Sequence, residues 1–339
     1  MRNKFKVFTA AAATALAMTF SSAAQANVQR TMCVFDIIGA SGDIYNIMTG
    51  YRTEAQNWGV DLRLRAFTDE KIASEEFQAG QCDAAVLTGI RGRQFNSYTG
   101  SLDSIGAIPD YDALRTVLTV LHSGNESINE RLRSGPYEVA GIAPMGAAYL
   151  FVKDQAINNV GALAGLSIAV LEYDSAQASM ASRVGMSPVM SDITNFSSRF
   201  NNHSVDVCFA PMAAYSALEL YRGMEPDGGI VDYVLGQLTA QVILRADRFP
   251  DGFAQQSREY MMGQFDTAMR VINNAQAEVD DKWWIPISEE DTLRYDEMMR
   301  EARIELTKDG VYSADMMSLL RRVRCNLDSS RAECVDPQE

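Results

Sequence analysis

Short apolar runs alternate with amphipathic segments along the first third of the chain. Residues 32–39 (MCVFDIIG) are almost continuously apolar, which is typical of a buried parallel strand. Residues 44–58 place apolar side chains at helical spacing, and Ser41 is the expected N-cap of that helix. An alternating run at 60–67 and an apolar run at 82–89 predict two further strands with a helix between them. This β-α-β-α-β order predicts a right-handed parallel sheet.

The same order returns in the middle of the chain. Short apolar runs predict strands at 166–171, 187–191 and 205–210, each separated from the next by a helical segment. Longer extended runs at 137–153 and 229–245 precede and follow this second unit. The chain is therefore expected to cross twice between two lobes of α/β structure.

The pattern after the second extended run is helical to the end. Residues 253–279 and 289–310 predict two long helices, which are expected to pack on the back of the first lobe. We accordingly predict that residues 27–145 and 240–339 form lobe I with the C-terminal helices, and that residues 146–239 form lobe II.

Residues 1–26 have the three parts of a secretory signal peptide. The basic residues Arg2, Lys4 and Lys6 precede an apolar stretch, and small residues then frame a cleavage site. No later apolar run has the length that a membrane helix needs. We therefore predict a soluble, exported chain without direct membrane insertion, located in a bacterial periplasm.

The net charge narrows the range of partners. The formal charge is −14, and it becomes −17 once the three basic residues of the signal peptide are removed. Such an acidic surface disfavours nucleic acid and anionic lipid. Two α/β lobes, crossed twice, in an exported acidic chain predict a two-lobed periplasmic binding protein fold of type II-like topology. Each lobe is expected to hold a mostly parallel sheet flanked by helices, with a solute bound in the cleft at the carboxyl ends of the strands.

The cysteines indicate disulfides rather than a metal site. Cys325 and Cys334 are close in sequence, and we predict that they pair in an oxidising compartment. A second bridge between Cys33 and Cys82 remains open, while Cys208 lies in an apolar strand and is expected to be a buried thiol. There is no CxxC motif and there are only two histidines, so we predict neither a metal nor any other cofactor.

Four segments resemble the solute receptors of tripartite ATP-independent periplasmic (TRAP) transporters, the DctP-like group. They are residues 77–89 (FQAGQCDAAVLTG), 156–170 (AINNVGALAGLSIAV), 184–215 (VGMSPVMSDITNFSSRFNNHSVDVCFAPMAAY) and 231–244 (VDYVLGQLTAQVIL). The resemblance implies a monomeric receptor that captures a small-molecule solute and delivers it to the membrane permease subunits of a transporter.

One departure from the DctP-like pattern concerns the ligand. The resemblance implies an arginine near Ser167 or Ile168 that clamps a substrate carboxylate, and no arginine is present there. The sequence also resembles a smaller group of exported proteins described as associated with efflux pumps of the resistance-nodulation-division (RND) class. An efflux-associated periplasmic component is therefore the alternative function.

The candidate ligand contacts follow the predicted strands or lie on the two crossing segments. They are Asp36, Gly39, Ser41, Gly42, Thr88, Arg91, Arg93, Tyr149, Glu172, Tyr173, Asp174, Phe209, Met212, Tyr215 and Gln241. Arg91 and Arg93 are the expected substitutes for the missing clamp, whereas Glu172 and Asp174 would suit an amine. The competing interpretations are a tight turn, helix capping, a salt bridge between the lobes and core packing.

These patterns favour binding over catalysis. The Gly-Ala-Ser-Gly turn at 39–42 also opens some Rossmann oxidoreductases, but the third glycine of that fingerprint is missing. No Gly-x-Ser-x-Gly motif is present for a hydrolase. We therefore predict a receptor for a small polar organic solute and no enzymatic activity, with an exported Rossmann-like oxidoreductase as the weaker alternative.

Overall fold

The computed structural model describes residues 27–339, so the predicted signal peptide at 1–26 lies outside the described residues. The strands are β1 Val28–Phe35, β2 Val60–Phe67, β3 Ala84–Thr88, β4 Arg133–Ser134, β5 Tyr137–Val152, β6 Ser167–Leu171, β7 Ser187–Ser191, β8 Val207–Pro211, β9 Gly229–Val231, β10 Gly236–Arg245 and β11 Trp284–Ile285.

The α-helices alternate with these strands and then dominate the C-terminal part. They are α1 Asp43–Ala55, α2 Glu70–Gln78, α3 Gly89–Gly92, α4 Ser97–Gly100, α5 Tyr111–Leu121, α6 Glu126–Arg131, α7 Ser175–Arg183, α8 Phe196–Asn201, α9 Ala213–Ala217, α10 Tyr221–Met224, α11 Phe253–Gly263, α12 Phe265–Ala277, α13 Glu289–Lys308, α14 Ala314–Leu327 and α15 Ala332–Val335. None of the helices within residues 27–339 is both long and apolar enough to cross a membrane.

Each lobe has the expected parallel strands. In the first lobe β2, β1 and β3 are parallel neighbours, and in the second lobe β7, β6 and β8 are parallel neighbours. The expectation of an α/β protein with two lobes is confirmed. The β-α-β-α-β order of residues 28–88 brings the carboxyl ends of three strands to one edge of the first sheet.

The two sheets are joined by the long crossing strands β5 and β10. β10 pairs antiparallel with β3 on one side and with residues 137–148 of β5 on the other. Residues 148–152 of β5 then pair with β8, so one hydrogen-bonded path runs β2-β1-β3-β10-β5-β8-β6-β7. The sequence alone predicts one sheet for each lobe, whereas the crossing strands belong to both and connect them.

The long C-terminal segment is divided more finely than its periodicity predicts. The helix expected at 253–279 breaks between Gly263 and Phe265 into α11 and α12. α14 buries Met317 and Leu320 against the first lobe, as expected. α13 instead buries Tyr295 and Met299 against the strands of the second lobe, so the C-terminal helices brace both lobes.

Two disulfides stabilise this arrangement. Cys325–Cys334 joins α14 to α15 and confirms the predicted pair. Cys33–Cys82 ties β1 to the loop that precedes β3 and settles the bridge that the sequence left open. Cys208 is a buried free thiol on β8, as expected.

Candidate functional site

A cavity of about 190 Å³ lies between the two lobes. The first lobe contributes the β1–α1 turn and α1, and the second lobe contributes the ends of β6 and β8 and the start of α9. The crossing strands and α12 close its remaining sides. Its position is the cleft at the carboxyl ends of the strands, where the fold predicts a ligand.

The first wall is the turn that follows β1. Asp36 is buried, and its carboxylate accepts hydrogen bonds from the backbone N–H of Ile38 (2.9 Å) and Tyr45 (3.1 Å). A Cβ on Gly42 would lie 1.8 Å from Asp36 Oδ1, so only glycine fits there. Ser41, predicted as the N-cap of α1, is exposed and lies before the actual N-cap Gly42. The Asp36 carboxylate caps the helix instead, because it reaches an N–H of the first turn.

Four of the predicted contacts line this cavity: Asp36, Thr88, Tyr173 and Phe209. Thr88 ends β3, and its hydroxyl accepts the N–H of Arg91 at 3.1 Å. Phe209 on β8 also lines a smaller cavity of about 90 Å³, which lies among the second lobe, α13 and first-lobe residues such as Asp103 and which Asp174 also lines. These residues come from both lobes, as a site in the cleft requires.

The charged candidates meet one another across the cleft. We call Glu70, Arg91, Arg93, Tyr173 and Asp174 the interlobe charge cluster. Tyr173 donates its hydroxyl to Glu70 at 2.9 Å, and the Arg91 guanidinium carbon lies 3.3 Å from the centre of the Tyr173 ring. Arg93 donates to Asp174 at 3.0 Å. Arg91 and Arg93 therefore contact side chains of the other lobe and do not themselves line the cavity.

The interlobe charge cluster is incompletely compensated. Arg91 Nε lies 3.8 Å from Glu70 Oε2. Neither Arg91 Nε nor Arg93 Nη2 has a hydrogen-bond partner among the described residues. Burial raises the pKa of Glu70, and the hydrogen bonds from Thr88 and the charge of Arg91 offset this only in part. Breaking the cluster by separating the lobes would return these groups to water.

Other predicted contacts lie outside the lining of both cavities. They are Gly39, Ser41, Gly42, Arg91, Arg93, Tyr149, Glu172, Met212, Tyr215 and Gln241. Glu172 is exposed and pairs with Lys71 at 3.6 Å. Gln241 is fully buried, accepts from the Thr99 hydroxyl at 2.9 Å and donates to the Thr99 carbonyl at 2.9 Å. Gln241 therefore holds α4 against β10.

Three other candidates of the second lobe, Tyr149, Met212 and Tyr215, are core residues. Tyr149 packs edge-on against Trp284 with ring centres 5.3 Å apart. Met212 and Tyr215 are buried in the same hydrophobic core, which the sequence could not distinguish from a pocket because both environments select apolar side chains.

The expected position of the missing arginine is occupied by small or apolar residues. Ser167 hydrogen bonds to Asp206, and Ile168 faces the smaller cavity. Ala169 is the next residue of β6. Ala169 lines the interlobe cavity, so the wall carries a methyl group at that point.

Two residues of the site were not singled out in the sequence. Glu70 looks like an ordinary acidic residue in the first turn of α2, yet it is fully buried at the centre of the interlobe charge cluster. Gln177 on α7 lines both cavities. Gln177 follows Ala176 and precedes Met180 and Ala181 at helical spacing, which places it on the apolar face of a short helix. A polar residue at such a position was the signal in the sequence that could have identified it.

Comparison with known proteins assigns the chain to a family. Residues 52–339 match the family model described as solute-binding protein AdeT 1/2. The chain belongs to the AdeT 1/2 solute-binding protein family. It is 42% identical over 302 residues to the probable solute-binding protein AdeT1 of Acinetobacter baumannii, covering 89% of this chain and 99% of that protein.

Solved structures support the fold of this AdeT 1/2 family member. The TRAP periplasmic solute-binding protein of Desulfovibrio salexigens with bound orotic acid has a TM-score of 0.73 at 13% identity, covering 88% and 99% of the two chains. The protein of the same class from Sulfitobacter sp. NAS-14.1 with bound β-D-galacturonate has a TM-score of 0.69 at 12% identity, covering 87% and 99%. The family and these neighbours are solute-binding proteins rather than enzymes, and the predicted resemblance is confirmed.

Proposed function

We propose that this AdeT 1/2 family member is an exported receptor that captures one small organic solute between its lobes and delivers it to a TRAP-type membrane transporter. The observation that carries the proposal is the interlobe cavity, whose walls come from both lobes. A solute in this cavity would touch both lobes at once, so its binding would favour the closed arrangement.

The proposal includes the predicted periplasmic location and the predicted lobe boundaries, residues 27–145 with 240–339 and residues 146–239. It also includes a working set of solute contacts. Asp36, Thr88, Tyr173 and Phe209 line the cavity, and we propose that they contact the solute. The interlobe charge cluster would act beside them by stabilising closure.

The chemistry of the cavity lining bears on the kind of solute that would bind. The two solved neighbours bind orotic acid and β-D-galacturonate, and the sequence of this chain predicts a small polar solute. The interlobe cavity of this chain is lined mainly by hydrocarbon, so most contacts between the protein and its solute would be apolar.

Native mass spectrometry of the chain purified from its host tests the capture of a solute. We expect one small molecule per chain, lost on denaturation, and a smaller radius of gyration in X-ray scattering when that molecule is present. A chain that carries no molecule, and that no solute in a broad screen compacts, would contradict the proposal.

Affinity capture from host membranes tests the partner. Recovery of the membrane subunits of a TRAP transporter supports delivery for uptake. Recovery of RND-class components instead would support the efflux-associated alternative and reject the uptake partner, while leaving solute capture intact.

A further inference from the structure

The walls of the interlobe cavity are made almost entirely of hydrocarbon. Side chains of the β1–α1 turn, α1, α8, β8 and α12 line the space, among them Ile37, Ile44, Met48, Phe196, Phe209 and Ile272. A dry apolar cavity of about 150 Å³ accommodates benzene. The 190 Å³ available here is therefore enough for a substituted aromatic ring or a molecule of similar size.

Of the five polar side chains in the lining, those of Asp36, Thr88 and Tyr173 are already engaged within the protein, and that of Asp43 is exposed to solvent. Both carboxylate oxygens of Asp36 accept backbone N–H groups, and the Thr88 hydroxyl accepts the N–H of Arg91. The Tyr173 hydroxyl donates to Glu70. These groups have little capacity left to replace the water around a strongly polar solute.

One hydrogen-bond donor is left over. Gln177 accepts the N–H of Leu171 at 2.8 Å through Oε1, while its Nε2 is buried and has no partner among the described residues. A buried donor without a partner is costly, and a ligand with a single acceptor atom would satisfy it.

The lining offers no positive charge to an anion. No lysine, arginine or histidine of residues 27–339 lines the cavity, whereas the carboxylates of Asp36 and Asp43 do. Arg91 and Arg93 are held by Tyr173 and Asp174. Burying a carboxylate without a counter-charge is strongly unfavourable, so an organic acid fits poorly.

We propose that the interlobe cavity binds an uncharged, mainly hydrocarbon molecule that carries one hydrogen-bond acceptor, received by the Gln177 side-chain amide. This inference rests on the proposed receptor function and specifies its ligand class. The solute then gains its affinity from apolar contact with both lobes, and Gln177 sets its orientation.

Three ring compounds of similar size separate the possibilities. Acetophenone carries one neutral acceptor, ethylbenzene carries none, and benzoate carries a carboxylate. We expect calorimetry with the mature chain to show acetophenone binding at least tenfold more tightly than benzoate, with ethylbenzene between them. Benzoate binding more tightly than acetophenone, or no binding by acetophenone and ethylbenzene up to their solubility limits, would overturn the inference.

Variants locate the site. Gln177→Glu keeps the shape and the acceptor for Leu171 but replaces the free donor by an oxygen, so acetophenone should weaken at least tenfold and ethylbenzene less. Ala143→Leu fills the interlobe cavity and should weaken both compounds, whereas the matched control Ala181→Leu in the smaller cavity should weaken neither. Equal effects of Ala143→Leu and Ala181→Leu would contradict the location.

The receptor function and the ligand class fail in different ways. If carboxylates bind tightly and compact the chain in X-ray scattering, this inference is wrong and the receptor function stands. If no solute of any charge binds and compacts the chain, both are wrong.

Discussion

Two regions of the molecule that contain buried charges compensate those charges differently. The C-terminal charge cluster consists of Arg303, Arg324, Glu333 and Glu339. Arg303 pairs with Glu339 at 2.7 Å, Arg324 pairs with Glu333 at 2.9 Å, and Arg324 also pairs with Glu339. Each guanidinium in addition donates to a backbone carbonyl of residues 105–107. This cluster lies where α13, α14 and α15 pack against the first lobe.

The pKa values of buried carboxylates report the difference. Burial acts to raise the pKa of Glu333, but hydrogen bonds from its own backbone N–H and from Arg324 and Arg331 outweigh it and lower the pKa to about 2. At the boundary between the lobes the balance is reversed. Burial dominates at Asp103 and raises its pKa to about 7, despite two hydrogen bonds from Thr239.

The comparison separates buried charges that stabilise the folded state from buried charges that stabilise the closed arrangement of the lobes. A charge in the C-terminal cluster reaches water only if the helices unfold from the first lobe. A charge in the interlobe charge cluster reaches water if the lobes merely separate. Loss of a partner should therefore reduce the free energy of unfolding in the first region and shift the open–closed equilibrium in the second.

The largest effect is expected from Arg324→Leu. This change removes the guanidinium that pairs with both Glu333 and Glu339, so that each buried carboxylate keeps only one arginine partner. Breaking a buried pair from one side typically costs about 3–5 kcal/mol. Urea unfolding of the mature chain measures the loss. The matched control Arg322→Leu removes an exposed arginine of the same helix and should stay within about 0.5 kcal/mol of wild type. Equal effects of the two variants would show that the C-terminal cluster is not the source of stability.

The next effect is a pH dependence at Asp103. Its folded-state pKa lies above its unfolded-state value, so the protonated form stabilises the folded chain. That contribution is complete below about pH 4 and is lost as the pH rises through about 7, with a slope of up to about 1 kcal/mol per pH unit. Unfolding free energies measured from pH 4 to 8 should lose this slope in Asp103→Asn.

Glu333→Gln is the control for that slope. Because the pKa of Glu333 is lowered, its contribution is present above about pH 4.5 and is lost only as the pH falls through about 2. Glu333→Gln should therefore shift the stability by a constant amount between pH 5 and 8. If the slope of the unfolding free energy against pH changed in Glu333→Gln, or stayed unchanged in Asp103→Asn, the proposed difference between the two regions would be wrong.

The sequence predicts the parts of the fold that depend on local periodicity. β1, β3, β6 and β8 are short apolar runs between turn residues, and such runs identify buried strands without knowledge of their partners. The break between α11 and α12 was missed because apolar residues continue at helical spacing across Gly263. The pairing of β5 with β10 was missed because it joins segments about a hundred residues apart.

The candidate site shows the same limit at the level of side chains. The sequence placed Arg93 and Asp174 at the edge of the cleft. The two residues are 81 positions apart in the chain, and only the fold shows that they form an ion pair with each other. The burial of Arg303 and Arg324 was not predicted. Both occupy apolar positions of their helices, beside Met299 and Leu320, and that pattern was the available signal of burial.

A smaller change in stability is expected from Asp174→Asn in the interlobe charge cluster. Asparagine keeps the cap on α7 and removes the charge that faces Arg93. Because Arg93 can reach water when the lobes separate, the free energy of unfolding should fall by less than about 1 kcal/mol. X-ray scattering of the ligand-free variant should instead show a larger radius of gyration. A loss of 3 kcal/mol with unchanged dimensions would mean that the lobes do not separate.

The smallest effect is expected at the Lys71–Glu172 pair, which also spans the lobes. Its side chains are 54% and 50% exposed and lie 3.6 Å apart, so water already screens both charges. Lys71→Met should change the free energy of unfolding by less than about 0.5 kcal/mol and leave the radius of gyration at the wild-type value. If Lys71→Met opened the lobes as far as Asp174→Asn does, exposed charge would control closure as strongly as buried charge. The distinction between the interlobe charge cluster and the surface around it would then be lost.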